Sequence, residues 1–149
     1  MPKGRQVGDT CRVDASLWIT IPEAAIKSNA KPGLEQRSQQ RDTVAVGRAM
    51  TGAVLMASQL KNGQHIAVHV RGQGVLSTVY AEAQFEGQVR GYTPHALYEP
   101  SSYESTLSLK SSIGSGMLTV TRHQPFQKQP FTGTVELVSG EIGDDIAHY

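Results

Sequence analysis

The five histidines are the residues of this chain best suited to chemistry, as metal ligands or as proton acceptors near neutral pH. His65 and His69 lie four residues apart in an alternating segment. One face of a strand would therefore carry both, about 13 Å apart at about 3.3 Å per residue, which is too far for two ligands of one ion without help from other segments. The other three, His95, His123 and His148, complete no catalytic or metal-binding motif. We predict surface histidines and no metal site.

Two further candidates also have ordinary structural explanations. Cys11 has a neighbouring cation, Arg12, that can activate a thiol, but no histidine stands near it, so an unreactive thiol is favoured. A single cysteine excludes an internal disulfide and a multi-thiolate zinc site within these residues. The glycines at residues 72–74 lack the third glycine, the lysine and the following helix of a nucleotide-binding loop, so a hairpin turn is favoured. Because no polar groups converge, we predict that the chain is not an enzyme.

An antiparallel sheet and one long helix are predicted to position these residues. Alternating apolar and polar residues indicate a strand over residues 12–21, after which Pro22 suits the start of a short helix. Residues 28–40 are predicted to form a surface loop. A helix then begins at Asp42 or Thr43 and runs to about residue 61, where Asn62 and Gly63 end it. Its small residues recur every four positions and favour close packing on a sheet: Ala45, Ala49, Ala53 and Ala57.

The second half of the chain is predicted to be mostly strands. Period-two alternation and glycine turns indicate an antiparallel meander over residues 65–71, 75–83 and 88–92. Residues 94–115 are predicted to form a loop with one helical turn near residues 105–110. A second strand pair follows at residues 117–121 and 131–138, and a helix starts after Ser139. The predicted fold class is therefore α+β, in one domain over residues 1–149.

Composition excludes several classes of function. Fourteen Lys and Arg against thirteen Asp and Glu give a net charge of +1, so the chain has no general attraction for nucleic acid or anionic membranes. The longest apolar stretch, residues 49–57, is well short of the roughly 20 residues that a membrane span needs. No apolar run follows the basic N-terminus, so a secretory signal is not expected. We expect a soluble domain in the cytoplasm, or in an organelle interior if the source is eukaryotic.

An ordered series of short segments stands out in the second half of the chain. The segments are GRA at 47–49, ASQLK at 57–61, VRGQG at 70–74, GQVRGY at 87–92, IGSGMLTVT at 113–121, PFTGTVEL at 130–137 and IGDDIAHY at 142–149. In this order and spacing they resemble the first domain of the heat shock protein 33 family. The match covers residues 42–149, with a weaker echo at residues 12–27.

This resemblance implies an ATP-independent holdase chaperone under redox control. In the family, oxidation releases zinc from a C-terminal module of four cysteines, a linker unfolds, and exposed apolar surface captures unfolding clients. The present sequence ends at Tyr149, before that module, and Cys11 is not one of the switch cysteines. We therefore expect an incomplete N-terminal domain with no cofactor of its own and no internal redox switch.

The predicted partners are unfolded client proteins and a second copy of the chain. Apolar groups on both faces of one predicted strand are the candidate client-binding residues: Val75, Leu76, Val79 and Tyr80. Both faces of that strand are expected to be covered, one of them by the long helix, unless one face or a sheet edge stays open to bind clients or a second copy. The alternative function is a structural or oligomerisation domain built on the same fold.

Overall fold

The computed structural model describes residues 10–15, 34–94 and 109–149. The helices are α1 (Leu34–Ala57), α2 (Leu109–Ile113) and α3 (Ile142–His148). The strands are β1 (Thr10–Ala15), β2 (His65–Gly72), β3 (Thr78–Gln84), β4 (Val89–Pro94), β5 (Gly116–His123) and β6 (Phe131–Glu136).

The strands form one six-stranded antiparallel sheet in the order β1-β4-β3-β2-β5-β6. The predicted α+β class and the meander of β2, β3 and β4 are confirmed. The β5–β6 hairpin is also confirmed, and it pairs with the free edge of β2. β1 pairs with β4 on the other side of the meander. The sheet is therefore assembled from the β2–β3–β4 meander, the β5–β6 hairpin and the strand β1, which is distant in sequence from its partner β4.

Helix α1 covers one face of this sheet, which we call the inner face. Its row of four alanines is fully buried, so the close packing predicted from their spacing is confirmed. The small side chains let α1 lie directly on β2, β3 and β4. The inner face consists mainly of buried aliphatic residues: Ile66, Val68, Val70, Val79, Ala81, Ala83, Leu118 and Val120.

The loop predicted over residues 28–40 is wrong from Leu34 onward, where the structure has helix. The polar residues there, such as Glu35 and Gln36, have high helix propensity and continue the helix backward to the position after Gly33. Asp42 therefore lies inside α1 rather than at its cap. It is buried and forms an ion pair with Arg41 at 2.8 Å.

Other boundaries differ because backbone partners are made outside the predicted strands. β3 begins at Thr78 rather than at residue 75, since Gly74 and Leu76 donate their N–H groups to the carbonyls of Ile113 and Ser112. Helix α1 ends at Ala57, β4 continues to Pro94, and β6 ends at Glu136. The predictions for residues 16–33 and 95–108 lie outside the described residues.

Helix α3 is the last element of the chain and packs against α1. Its Ile146 side chain contacts Gly52, so a small residue in α1 makes room for α3. Asp145 is buried, and its Oδ1 accepts hydrogen bonds from the N–H groups of Val138 and Ser139 at 2.8 and 2.9 Å. This carboxylate therefore joins α3 to the segment that follows β6. No helix in the described ranges is long and apolar enough to cross a membrane.

Candidate functional site on the outer sheet face

The second face of the sheet, which we call the outer face, points away from the helices. Helix α1 packs on the inner face, the Ile113 side chain of α2 lies against Gly72 on the same side, and α3 packs on α1. Within the described ranges, the outer face has no helix over it. Its residues alternate with those of the inner face: His65, Ala67, His69, Arg71, Thr78, Tyr80, Glu82, Gln84, Arg90, Tyr92, Met117, Thr119, Thr121, His123, Thr132, Thr134 and Glu136.

An aromatic row crosses three strands of this face. His69, Tyr80 and Tyr92 stand at directly paired positions of β2, β3 and β4. The ring centroids of His69 and Tyr80 are 5.8 Å apart with an edge-on angle of 77°, and those of Tyr80 and Tyr92 are 5.2 Å apart. Contacts of this geometry are favourable between aromatic rings. The row is a continuous ring surface, and Tyr92 at its end is 37% exposed.

A charged cluster lies beside the aromatic row. Glu82 Oε2 accepts hydrogen bonds from Arg90 Nη2 at 2.7 Å and from Arg90 Nε at 3.0 Å. Tyr80 Oη donates to the same oxygen at 3.3 Å. Burial raises the pKa of the Tyr80 phenol, and the negative charge of Glu82 raises it further, so the phenol stays protonated and donates. Glu82 thereby fixes the orientation of two neighbours on the outer face.

His65 and His123 form a stacked pair near one end of the outer face. They are paired residues of β2 and β5, with ring centroids 4.2 Å apart and ring planes 11° apart. His65 Nε2 is 3.8 Å from Glu82 Oε1. Desolvation lowers the pKa of His65, the charge of His123 lowers it further, and Glu82 opposes both effects. Two imidazoles and a carboxylate from three strands therefore meet here.

The four client-binding candidates do not share one surface. Val79 lies on the inner face, and Leu76 precedes β3 and is also in the core; both are buried. Val75 is half-buried in the turn before β3, and Tyr80 alone belongs to the outer face. A client could reach Val79 only if α1 left the sheet, and Leu76 only if the core around it opened. Client binding by these four residues stays a prediction.

The other candidates from the sequence are placed apart from this face. Cys11 pairs in register with Thr93, Gly72 is the last residue of β2, and Gly74 lies in the turn that follows. His148 is exposed in the last turn of α3. In the part of the chain that the structure describes, no group of three or more His, Cys, Asp or Glu side chains is placed to hold a metal ion.

Comparison with known proteins decides the family. The family model described as Hsp33 protein matches residues 33–149 of this chain. The chain belongs to the Hsp33 family. A 33 kDa chaperonin of Desulforamulus reducens is 38% identical over 131 residues, which are 87% of this chain and 42% of that protein. One from Nostoc punctiforme is 42% identical over 109 residues, which are 72% of this chain and 36% of that protein.

A solved Hsp33 structure has the same fold. The 33 kDa chaperonin from Thermotoga maritima, a heat shock protein 33 homologue, matches with a TM-score of 0.64 and 32% identity over 76% of this chain and 41% of that one. The family resemblance inferred from the segments at residues 42–149 is thus confirmed. The chain spans about two-fifths of the length of these Hsp33 relatives.

Sequence reasoning missed the contacts that define this site in the Hsp33 chain. The turn at Glu86 and Gly87 predicts that β3 and β4 pair, which could have suggested the contact between Glu82 and Arg90. The contact between His65 and His123 depends on β2 pairing with β5. No turn joins those two strands, so no local sequence signal could have shown it.

Proposed function

We propose that this Hsp33 chain contributes to an ATP-independent holdase chaperone of the cytoplasm and that its outer face contacts unfolded clients. Family membership and the chaperonin names of the relatives support chaperone activity. The proposed partners are unfolded proteins, which present apolar and aromatic side chains together with free backbone groups. A broad sheet face with mixed chemistry suits such varied ligands.

The observation that carries this proposal is the composition of the outer face. It holds the aromatic row, and beside it Met117 is 40% exposed on β5. Methionine and tyrosine adapt to many apolar partners, because one is flexible and the other has an apolar ring with a polar tip. Arg71 and Arg90 add exposed cations beside the rings. No described helix covers the face.

Control by thiol oxidation is not expected from these residues. Cys11 is the single cysteine among the 149, so no disulfide can form between two positions of this chain. We therefore propose that client binding by this segment does not respond to oxidant.

Light scattering of an aggregating client tests the proposal. Guanidinium-unfolded citrate synthase is diluted into buffer with increasing amounts of this chain, once with reductant and once with peroxide, and Cys11→Ser is run in parallel. We expect near-stoichiometric suppression that is equal under both conditions and in the variant. Absence of suppression under both conditions would refute holdase activity for this segment.

A matched pair of variants tests the surface. Tyr92→Ser combined with Met117→Ser removes two exposed apolar groups from the outer face, and we expect at least a several-fold loss of suppression. Leu55→Ser is the control, because Leu55 is 65% exposed on α1. Equal loss in the control would show that the effect is not specific to the outer face.

The second candidate function, oligomerisation, is favoured by the edge of the described sheet. β6 pairs only with β5 within the described ranges, and Phe131 at its start is 60% exposed. An edge strand can pair with the same strand of a second copy. Sedimentation shows whether the chain dimerises, and a dimer that does not suppress aggregation would favour this function over the first.

A further inference from the structure

The stacked pair of His65 and His123 has a geometry suited to binding a metal ion from solvent. Paired residues on neighbouring antiparallel strands have Cβ atoms roughly 4.5–5.5 Å apart. Their imidazoles can therefore reach one ion between them at the usual distance of about 2.0–2.1 Å from metal to nitrogen. The rings are 4.2 Å apart and stacked, so one of them has to tilt. That motion is inexpensive, because rotation of a histidine ring about χ2 has broad minima.

Glu82 is placed to position the first of these imidazoles. Its Oε2 is occupied by Arg90 and by the Tyr80 hydroxyl, whereas its Oε1 faces His65 Nε2 at 3.8 Å. A small approach lets Nε2–H donate to Oε1, which leaves Nδ1 of His65 for an ion. Metal-binding histidines commonly donate their second N–H to a carboxylate in this way, which fixes the tautomer and strengthens the ligand.

The exposure of His65 also suits metal binding. The side chain is about one-third exposed, so an ion in solvent can reach it. Because no group of three or more donors is placed to hold a metal ion in the described ranges, water would complete the coordination.

We propose that His65 and His123 form a two-imidazole site for divalent first-row transition metals such as Ni²⁺, Cu²⁺ and Zn²⁺, with Glu82 as a positioning residue. The site would join β2 to β5, two paired strands that lie far apart in the sequence. A bound ion would therefore stabilise the sheet across this strand pair. The affinity of imidazole pairs for divalent metals increases from Co²⁺ to Ni²⁺ to Cu²⁺, and their affinity for the hard ion Mg²⁺ is poor.

Thermal unfolding of the full chain with Ni²⁺ tests the proposal. An ion that binds only the folded state at one hundred times its Kd should raise Tm by roughly 5 °C or more. We expect Cu²⁺ to give a larger rise than Ni²⁺ at equal concentration, and Mg²⁺ to give none. The same rise with Mg²⁺ would mean nonspecific ion binding and would overturn the site.

Histidine variants provide the matched controls. His65→Gln and His123→Gln should each abolish the Ni²⁺-induced rise, and Glu82→Gln should weaken Ni²⁺ affinity by roughly tenfold or more. His148→Gln, at an exposed histidine on α3, should keep the rise of the unmodified chain. Cys11 is present in every variant, so these variants keep any binding of the ion by its thiol. A Tm rise that persists in the double variant His65→Gln/His123→Gln would place the ion elsewhere and contradict the proposal.

A second measurement needs no variant and stays informative if a substitution unfolds the chain. The imidazole NMR signals of the unmodified chain are followed during titration with Zn²⁺. Signals of His65 and His123 should shift together and saturate at one equivalent, while those of His148 stay in place. A shift confined to His148, or spread equally over all histidines, would overturn the proposal.

Discussion

His69 stands at the centre of the outer face, edge-on to Tyr80, and its Nε2 is buried with no hydrogen-bond partner among the described residues. Desolvation lowers the pKa of His69, and the nearby Arg71 lowers it further. Protonation would place a second N–H where the described residues offer no acceptor, and a positive charge near the Arg71 guanidinium. The folded chain therefore opposes protonation of this imidazole more strongly than the unfolded chain does.

The first prediction is a loss of stability on acidification. Below the ordinary histidine pKa of about 6.5, His69 of the unfolded chain binds a proton that His69 of the folded chain does not. The free energy of unfolding therefore decreases as the pH is lowered. The loss stops growing once pH is below the lowered folded pKa. His69→Phe keeps an edge-on ring and removes the titration, so it should lose less stability between pH 7.5 and 5.5.

Urea unfolding followed by circular dichroism at the two pH values checks this expectation. His148→Phe is the control and should lose as much as the unmodified chain. His65 also has a lowered pKa, so His69→Phe should reduce the pH dependence of the free energy of unfolding rather than remove it. If His69→Phe lost as much as the unmodified chain, His69 would not be a source of the acid sensitivity.

Asp145 is the second residue whose environment makes a sharp prediction. Its side chain is 2% exposed, Oδ1 accepts two backbone N–H groups, and Oδ2 is buried with no partner in the described part of the chain. Asp145→Ala would leave both N–H groups of Val138 and Ser139 unpaired, and we expect it to lower the free energy of unfolding by about 2–4 kcal/mol.

The neighbouring Asp144 is the matched control, since it is exposed in the same helical turn. Asp144→Ala should cost no more than about 1 kcal/mol, from a weaker interaction with the helix dipole. Chemical denaturation of both variants gives the comparison. Equal losses would indicate that the buried carboxylate does not hold α3 to the segment after β6.

At the scale of elements, the spacing between α1 and the sheet depends on side chains that are small on both sides. The alanine row of α1 faces the sheet, and Gly91 of β4 lies beneath it. A Cβ at Gly91 would come within 2.8 Å of Met50 Cγ, 2.9 Å of Val46 Cγ1 and 3.0 Å of the Tyr80 carbonyl oxygen. Backbone and core atoms would have to move to accommodate it.

We therefore expect Gly91→Ala to destabilise the fold by about 1–3 kcal/mol through overpacking. Gly47→Ala is the contrasting change, because a Cβ there meets no atom of the described residues within 4 Å. That variant should gain about 0.5–1 kcal/mol, since alanine has less conformational entropy to lose in a helix. Thermal and urea unfolding measure both. Gly91→Ala as stable as the unmodified chain would show that α1 has room to shift.

At the scale of the whole molecule, the two faces of the sheet differ in composition and in the role we propose for them. The inner face is aliphatic and packs against α1, which forms the core of the fold. The outer face carries His65, His69, His123, Tyr80, Tyr92 and the charged cluster, which lie outside that core. Changes on the outer face, such as Tyr92→Ser, should therefore affect binding more than stability, which makes the proposed tests of client and metal binding separable from folding.

Much of the fold follows from local patterns in the sequence. Period-two alternation and the turns at residues 72–74 and at Gly87 predict the meander, and alanines at intervals of four predict a helix close to the sheet. Those features depend on neighbours a few residues apart, so a single sequence contains them. The start of α1 was missed because its polar first turns have helix propensity but no apolar periodicity.

The candidate site was decided by tertiary structure. Whether His65 meets His123 depends on which distant strand covers the free edge of β2, and a choice among distant edges reflects the burial of the whole chain rather than any local pattern. The same is true of His69, whose alternation in the sequence indicates a face but not that Tyr80 would bury its ring. The sequence by itself therefore determined the strands, the helix and the family, whereas tertiary packing determined which side chains share a surface.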